Sequence, residues 1–156
     1  MHGPADRNWP EHEVKRFLDE LATDGHDFQR LVERLPVIVY TAELGEYGRW
    51  RYISPQVEEI LGYKPEDFVR DPALWASLLH PEDRKRALSH ESRDYLGTRD
   101  TTPIQYRLRT HEGKVVWIHD EAVLEADEEG VPVWHGVLYD VSERKRTEDE
   151  LQRALS

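Results

Sequence analysis

Cysteine is absent from this sequence of 156 residues. Its absence excludes disulfide bonds, thiolate metal sites and cysteine nucleophiles together. The sequence also has no apolar run of the length that a membrane span requires. Its first residues, Met-His-Gly-Pro-Ala-Asp-Arg, lack the apolar segment of a signal peptide. These features predict a cytoplasmic protein with no membrane partner.

Basic residues are in the minority. The sequence has 21 lysines and arginines against 32 aspartates and glutamates, which gives a net charge of −11. A nucleic-acid-binding surface presents a basic stripe, so this balance argues against a nucleic-acid partner. The length and the 38% hydrophobic content fit one domain with a single sizeable core.

Patterns for catalysis and metal binding are also missing. The Gly-x-Ser-x-Gly motif does not occur. His12-Glu13 and His111-Glu112 each lack the second histidine, four residues after the first, that a zinc-binding helix requires. His119 and His135 fall on neighbouring predicted strands and would meet only in a favourable register. We therefore predict a non-catalytic domain with no metal site.

Four X-Pro pairs stand out among the residues that are present. They are Ser54-Pro55, Lys64-Pro65, Asp71-Pro72 and His80-Pro81. Proline suits the first position of a helix, because its missing N–H would have no intrahelical partner there. The spacing predicts a series of very short helices and then a longer one from Pro81 to about Tyr95. Ser54 is the predicted N-cap of the first helix, and Gly62 its end.

The N-terminal segment predicts two amphipathic helices. One apolar stripe comprises Val14, Phe17, Leu18 and Leu21, and the same spacing resumes over residues 28–35. Two roles stay open for this stripe. The helices either cover the core of the domain or form a homodimer interface.

Five segments have the character of strands, namely residues 37–41, 50–53, 104–109, 114–124 and 131–141. The last two are apolar on both faces, since Val116 and Trp134 oppose Trp117 and Val133. A second layer must therefore cover the outer face, and the N-terminal helices are the candidates. The prediction is an α+β domain with a five-stranded antiparallel sheet and helices inserted after the second strand.

Three blocks of sequence carry a resemblance to a known family. They are Tyr-Ile-Ser-Pro-Gln-Val-Glu-Glu-Ile-Leu-Gly-Tyr-Lys-Pro-Glu-Asp-Phe followed by Leu-Trp-Ala-Ser-Leu-Leu-His-Pro-Glu-Asp-Arg, then Gly-Lys-Val-Val-Trp-Ile, then Trp-His-Gly-Val-Leu-Tyr-Asp-Val-Ser-Glu-Arg-Lys. In this order they resemble a PAS sensor domain of the bacterial signalling type. The resemblance covers about residues 31–146. It implies the PAS fold and a regulatory function without catalysis.

The resemblance allows the cofactor question to be asked residue by residue. Flavin-adduct and coumaroyl light sensors of this fold need a cysteine, which this sequence lacks. Haem-binding members carry a histidine at a position that aligns with Ala87. His90 lies three residues further, on nearly the same helix face. We expect no flavin adduct and no haem.

The resemblance also implies a cavity between the sheet and the helices. The candidate lining residues are Ile53, Trp75, Leu79, Leu88, Tyr106, Ile118, Trp134 and Leu138. Such a cavity suits a small apolar ligand. The alternative is a solid core that binds nothing.

The end of the sequence looks like the junction through which PAS domains connect to an effector domain. It reads Asp140, Val141, Ser142 and Glu143, with Ser142 as the predicted N-cap of a helix. Leu151 and Leu155 begin an apolar seam on that helix. The alternative is a surface helix that folds back on its own sheet.

These observations divide the sequence into an N-terminal leader with an amphipathic helix (1–30), a PAS domain (31–141) and the start of a signalling helix (142–156). The expected function is that of a sensor that dimerises and passes conformational change to an attached output domain, such as a histidine kinase or a cyclic-dinucleotide enzyme. The alternative is a ligand-free scaffold that only assembles dimers or docks a partner.

Overall fold

One antiparallel sheet organises the computed structural model, which describes residues 36–91 and 103–156. Its five strands are β1 (Ile38–Glu43), β2 (Trp50–Ile53), β3 (Ile104–Arg109), β4 (Val115–Ala126) and β5 (Pro132–Asp140). Their spatial order is β2-β1-β5-β4-β3. The predicted α+β class and the five-stranded antiparallel sheet are confirmed.

Four helices lie between β2 and β3, and a fifth follows β5. They are α1 (Gln56–Leu61), α2 (Pro65–Arg70), α3 (Leu74–Leu78), α4 (Pro81–Glu91) and α5 (Ser142–Leu155). Pro65 and Pro81 are the first residues of their helices, as the X-Pro pairs predict. Gly62 ends α1 with a φ of 83°, a left-handed conformation that glycine adopts without strain. The predicted continuation of α4 to Tyr95 lies outside the described residues.

Ser54 does not cap α1 with its side chain, so that prediction is wrong. Pro55 occupies the cap position. Ser54 is buried and exchanges two hydrogen bonds with Val39: its N–H donates to the Val39 carbonyl at 2.8 Å, and its Oγ accepts from the Val39 N–H at 2.9 Å. The hydroxyl takes the place of a strand carbonyl at the point where β2 turns into α1.

The inner face of the sheet carries the main core. Every second residue of β4 and β5 points into it, including Ile118, Trp134 and Leu138. The helices contribute Val57, Leu61, Phe68, Trp75, Leu78 and Ala87. The predicted placement of Trp134 and Leu138 on one face is confirmed.

The outer face carries a second apolar cluster of buried residues, Val37, Val39, Val137, Tyr139 and Val141, against which Tyr52 and Trp117 pack. The sequence therefore predicted correctly that both faces of the sheet are covered. The N-terminal helices predicted to cover it, with Val14, Phe17, Leu18 and Leu21, lie outside the described residues. In the described ranges, no helix combines the length and apolar character needed to cross a membrane.

Candidate functional site

A small cavity opens between the inner face of the sheet and helices α3 and α4. Its volume is about 40 Å³, counted as the space open to the centres of water molecules. The lining residues come from all five strands, the β1–β2 loop, α3 and α4: Tyr40, Ala42, Glu43, Gly45, Glu46, Gly48, Trp50, Trp75, Ala87, His90, Ile104, Tyr106, Asp120, Ala122 and Trp134.

A carboxylate lies in the wall of this cavity. The hydroxyls of Tyr40 and Tyr106 donate to the two oxygens of Asp120, each at 2.7 Å. The indole Nε1 of Trp75 in turn donates to the Tyr106 hydroxyl at 3.2 Å. Burial raises the pKa of Asp120 to about 6, although both tyrosine hydrogen bonds act to lower it. Asp120 is therefore mostly ionised at neutral pH.

Strand register brings these side chains together. Tyr106 pairs with Ile118, so Tyr106 and Asp120 share the inner face two positions apart. Gly136 pairs with both Tyr40 and Ala122, in the middle of the sheet. A Cβ on Gly136 would lie 2.5 Å from the Ala122 Cβ and 2.9 Å from the Tyr40 hydroxyl oxygen. Glycine is thus required there for Tyr40 to reach the carboxylate.

The other two acids of the cavity lining are paired with arginines. Glu43 accepts from Arg49 and Arg51 at 3.1 Å each. Glu46 accepts from Arg84 of α4 at 2.8 Å, which joins the β1–β2 loop to the helix. The charges of these two acids are therefore compensated.

Three of the eight predicted pocket residues, Trp75, Tyr106 and Trp134, line the cavity. The other five do not line it, and a role for them in ligand binding stays a prediction. Ile53, Leu79, Ile118 and Leu138 are buried in the packed core, and Leu88 packs half-buried against it. Their inward orientation was predicted correctly, and Ile53 also borders a separate open pocket between β2 and α2.

His90 and Ala87 share a helix face as predicted, and that face borders the cavity. His90 itself is half-buried. The expectation that the domain binds neither a flavin adduct nor haem stays a prediction.

Besides the cavity, a second candidate site is the junction between the sheet and α5. The Val141 N–H donates to the Trp117 carbonyl at 2.8 Å, and the Trp117 N–H donates to the Ser142 Oγ at 2.8 Å. Ser142 therefore does not cap the helix with its side chain, contrary to prediction. Asp140 takes a related role, since its Oδ1 accepts from the Ser142 N–H at 2.8 Å. Glu143 lies in the first turn of α5, as expected.

Two cationic side chains lie over the ring of Trp117. The Lys145 Nζ lies 4.8 Å from its ring centroid, and the Arg107 guanidinium carbon lies 4.9 Å from it. Such cation–π contacts stabilise by about 0.5–1 kcal/mol at exposed sites and more when desolvated. The first turn of α5 is thus attached to β4 by hydrogen bonds and by ring contact.

Arg107 connects this junction to α4. Its Nε and a terminal nitrogen each donate to Asp83 at 2.8 Å, and its backbone N–H donates to the same carboxylate at 2.8 Å. These hydrogen bonds from Arg107 lower the pKa of Asp83 to about 2. Asp83 lies in the first turn of α4, whose later residues Ala87 and His90 border the cavity. A continuous set of contacts therefore runs from the cavity wall to α5.

The sequence analysis missed Tyr40, Asp120 and Gly136 in the cavity and Arg107 and Trp117 in the junction. One signal was available for Asp120, which occupies an inward position of β4 between Ile118 and Ala122. An acid at an inward position needs a partner, and this indicates a polar site. Nothing in the sequence shows that tyrosines from β1 and β3 supply that partner.

The last helix exposes its apolar residues. Leu151 is 60% and Leu155 77% exposed, and no residue of α5 is buried. His119 pairs with Tyr139 and His135 with Val123, so the two histidines are not opposite each other. Within residues 36–91 and 103–156 no metal-ligating cluster of three or more acidic or histidine residues occurs.

Comparisons with known proteins extend these observations. A family model described as the PAS fold matches residues 51–138. The methyl sulfide methyltransferase-associated sensor of Methanosarcina acetivorans is 25% identical over 139 residues, which are 88% of this chain and 14% of that protein. The chain therefore spans about a seventh of this curated relative.

Several solved structures resemble the fold. A sensory box histidine kinase/response regulator from Burkholderia thailandensis superimposes with a TM-score of 0.63 at 29% identity, over 83% of this chain and 95% of the other. An RNA-binding light-oxygen-voltage receptor gives 0.54 at 26% identity, over 76% and 33%. The N-terminal domain of a diguanylate cyclase with a PAS/PAC sensor from Marinobacter aquaeolei gives 0.54 at 24% identity, over 70% and 98%, which is a likeness of fold alone.

Proposed function

Because this chain belongs to the PAS-fold family, we propose that it is the sensory module of a larger signalling protein. The module itself is non-catalytic. It dimerises and passes a change in its inner cavity to α5, and α5 passes it to an attached output domain. A histidine kinase or a cyclic-dinucleotide enzyme is the proposed class of output.

The observation that carries this proposal is the junction. The first turn of α5 is bonded to Trp117 through Val141 and Ser142, while the rest of the helix exposes Leu151 and Leu155. A helix anchored at one end, with an apolar seam beyond the anchor, suits transmission into a coiled coil. The alternative that α5 folds back on its own sheet finds no support in these exposures.

The relatives support the same function. The protein from Methanosarcina acetivorans is named a sensor, and the structure from Burkholderia thailandensis is named a sensory box histidine kinase/response regulator. The second likeness covers nearly all of that solved chain. A kinase is for this reason the first output domain to test.

The route from cavity to helix has two arms. One arm is covalent and runs along β5 through Asp140 to Ser142. The other runs from α4 through Asp83 and Arg107 to Trp117. A ligand shifts the two states of a sensor only through its differential affinity for them, so at least one arm must differ between the states.

The proposed dimerisation is tested by measuring the size of the protein in solution. We expect the chain to be a homodimer in light scattering, held by the stripe at Phe17 and by the seam at Leu151. Phe17→Asp and Leu151→Asp should each shift the protein toward monomer while the far-ultraviolet circular dichroism of the sheet is retained. Val69→Asp is the matched control, because Val69 is 49% exposed but lies on α2.

A parent protein that stays monomeric at high concentration would contradict the proposed dimer. An equal response of Val69→Asp would show that any exposed apolar residue has the same effect. The small cavity favours one competing function, a ligand-free scaffold. In that case dimerisation would respond to these variants, but output would not respond to changes at the junction.

A further inference from the structure

The inner cavity has an unusual balance of polar groups. Its lining includes Asp120, whose two oxygens accept only from the neutral hydroxyls of Tyr40 and Tyr106. Across the residues that the structure describes, no lysine or arginine forms an ion pair with Asp120. The two remaining acids of the lining, Glu43 and Glu46, already have arginine partners. One negative charge in the cavity is therefore uncompensated.

Three hydrogen-bond donors near this charge are already used. Tyr40 and Tyr106 give their hydroxyl protons to Asp120, and Trp75 gives its indole proton to Tyr106. A carboxylate has about four lone-pair positions, and these contacts occupy two of them. A ligand that enters the cavity therefore meets acceptors around Asp120, and it must supply the donors.

Aromatic rings make up much of the remaining wall. Besides the two tyrosines, the lining includes Trp50, Trp75 and Trp134. Aromatic faces attract organic cations, and the attraction strengthens where water is excluded. The combination of several rings with one uncompensated carboxylate favours a positively charged ligand over a neutral or anionic one.

We propose that the inner cavity binds a small organic cation of the alkylammonium class, through an ion pair with Asp120 and contacts with the surrounding aromatic rings. This inference rests on the proposed sensory function and adds the chemical class of the stimulus. Because the space open to water centres is only about 40 Å³, the smallest alkylammonium ions are the first to test. An ammonium group placed at Asp120 supplies donors to its free lone pairs.

The test is calorimetric titration of the chain with three compounds of similar size: ethylammonium chloride, ethanol and sodium acetate. We expect ethylammonium to bind and the other two to bind at least about tenfold more weakly. Asp120→Asn keeps the shape of the side chain and removes its charge. It should weaken ethylammonium binding about 10- to 100-fold, the range for a hydrogen bond to a charged group. Glu59→Gln makes the same charge change on an exposed face of α1 and should bind like the parent.

A second readout uses the parent alone, in case Asp120→Asn folds poorly. Affinity for ethylammonium should fall as the pH decreases below about 6, where Asp120 becomes protonated. The titratable groups around Asp120 in the cavity wall and along β4 are Tyr40, Glu43, Glu46, His90, Tyr106, His119 and Glu121. The same titration of Asp120→Asn over this pH range separates the contribution of Asp120 from those of its neighbours.

Equal binding of ethanol and ethylammonium would overturn the inference, as would unchanged binding to Asp120→Asn or no binding of any of the three compounds. None of these results would decide the sensory function itself. That function depends on the response of output to α5, which is measured independently of any ligand.

Discussion

A buried carboxylate, Asp83, and a half-buried one, Asp120, show how strongly the hydrogen-bond partner of an acid decides its pKa. Asp83 is bonded to a guanidinium, and Arg107 lowers its pKa to about 2. Asp120 is bonded to two neutral hydroxyls, and burial raises its pKa to about 6. A nearby cation outweighs desolvation in the first case, whereas two hydroxyl donors do not outweigh it in the second. The pair supplies the residue-scale predictions.

Asp83→Asn should destabilise the fold at neutral pH by about 2–3 kcal/mol. A pKa lowered from 3.8 to about 2 corresponds to about 2.5 kcal/mol. Because the pKa is lower in the folded state, this stabilisation is present above about pH 4 and is lost as the pH falls toward about 2. Urea denaturation at several pH values measures it.

Glu82→Gln is the control for Asp83. Glu82 also contacts Arg107, at 3.3 Å, but its side chain is 70% exposed. An exposed ion pair contributes about 0–1 kcal/mol. A loss at Glu82→Gln as large as that at Asp83→Asn would contradict the view that burial and bidentate geometry make the difference.

Asp120→Asn should change stability with the opposite dependence on pH. A pKa raised from 3.8 to about 6 means that the folded state holds the proton more tightly than the unfolded chain. The resulting stabilisation is present at low pH and is lost as the pH rises through about 6. Relative to the parent, the variant should therefore gain up to about 3 kcal/mol between pH 4 and pH 8.

Urea denaturation of both proteins at pH 4 and pH 8 measures this gain. A difference between parent and variant that does not change with pH would show that the two tyrosines keep the pKa of Asp120 near its ordinary value.

At the scale of elements, the same hydrogen-bonding arrangement occurs at two transitions from strand to helix. Where β2 turns into α1 and where β5 turns into α5, a serine Oγ accepts the backbone N–H of the neighbouring strand. At each transition the chain leaves the ladder, and the hydroxyl supplies the acceptor that the next strand carbonyl would have supplied. Ser54 and Ser142 therefore join sheet to helix.

Ser142→Ala should loosen the attachment of α5. The variant leaves the Trp117 N–H without its acceptor, which costs about 1–3 kcal/mol for a buried group and less where water reaches it. Amide hydrogen exchange at Trp117 and in the first turn of α5 should become faster. Thr147→Ala is the control, because its Oγ1 bonds only to the Glu143 carbonyl within the exposed helix, at 3.1 Å.

Unchanged exchange at Trp117 in Ser142→Ala would mean that this hydrogen bond does not hold the helix to the sheet. Faster exchange in both variants alike would assign the effect to the stability of α5 itself.

The helices and strands were predicted well from the sequence, whereas the hydrogen-bond partners of Ser54 and Ser142 were predicted wrongly. Both outcomes have one physical reason. Strand alternation and the X-Pro pairs are local signals, so the sheet, the helix starts and the inner face of Trp134 and Leu138 were accessible. The local sequence pattern of a serine before a helix is the same whether its hydroxyl bonds to its own helix or to a strand 15 residues away. That choice depends on strand pairing, which a local pattern does not contain.

The same reasoning explains why the residues that line the cavity were predicted only in part. Periodicity identifies inward residues but not which of them border empty space. Trp75, Tyr106 and Trp134 border the cavity, while Leu79 and Ile118 are buried in the packed core. Packing between distant elements decides this, and the absence of a side chain at Gly136 is part of that packing.

At the scale of the whole molecule, we propose that the domain couples changes in its inner cavity to the position of α5. The cavity lies on the inner face, and α5 begins on the outer side of β4 against Trp117. Contacts through Asp83 and Arg107 join the two regions around the edge strand β3. The central claim is that the rotational position of α5 relative to the sheet carries the signal.

Insertion of residues into α5 of the full-length protein, after Arg146, tests this claim most directly. One inserted alanine rotates everything beyond it by about 100°, whereas seven rotate it by about two full turns and restore its direction. The measurement is basal output activity, which is autophosphorylation if the output domain is a kinase. The account predicts a change of at least about fivefold for one residue, the lower end of typical coupling energies, and parent-like activity for seven. Equal activity in the parent and both insertion variants would contradict it and would make α5 a passive tether.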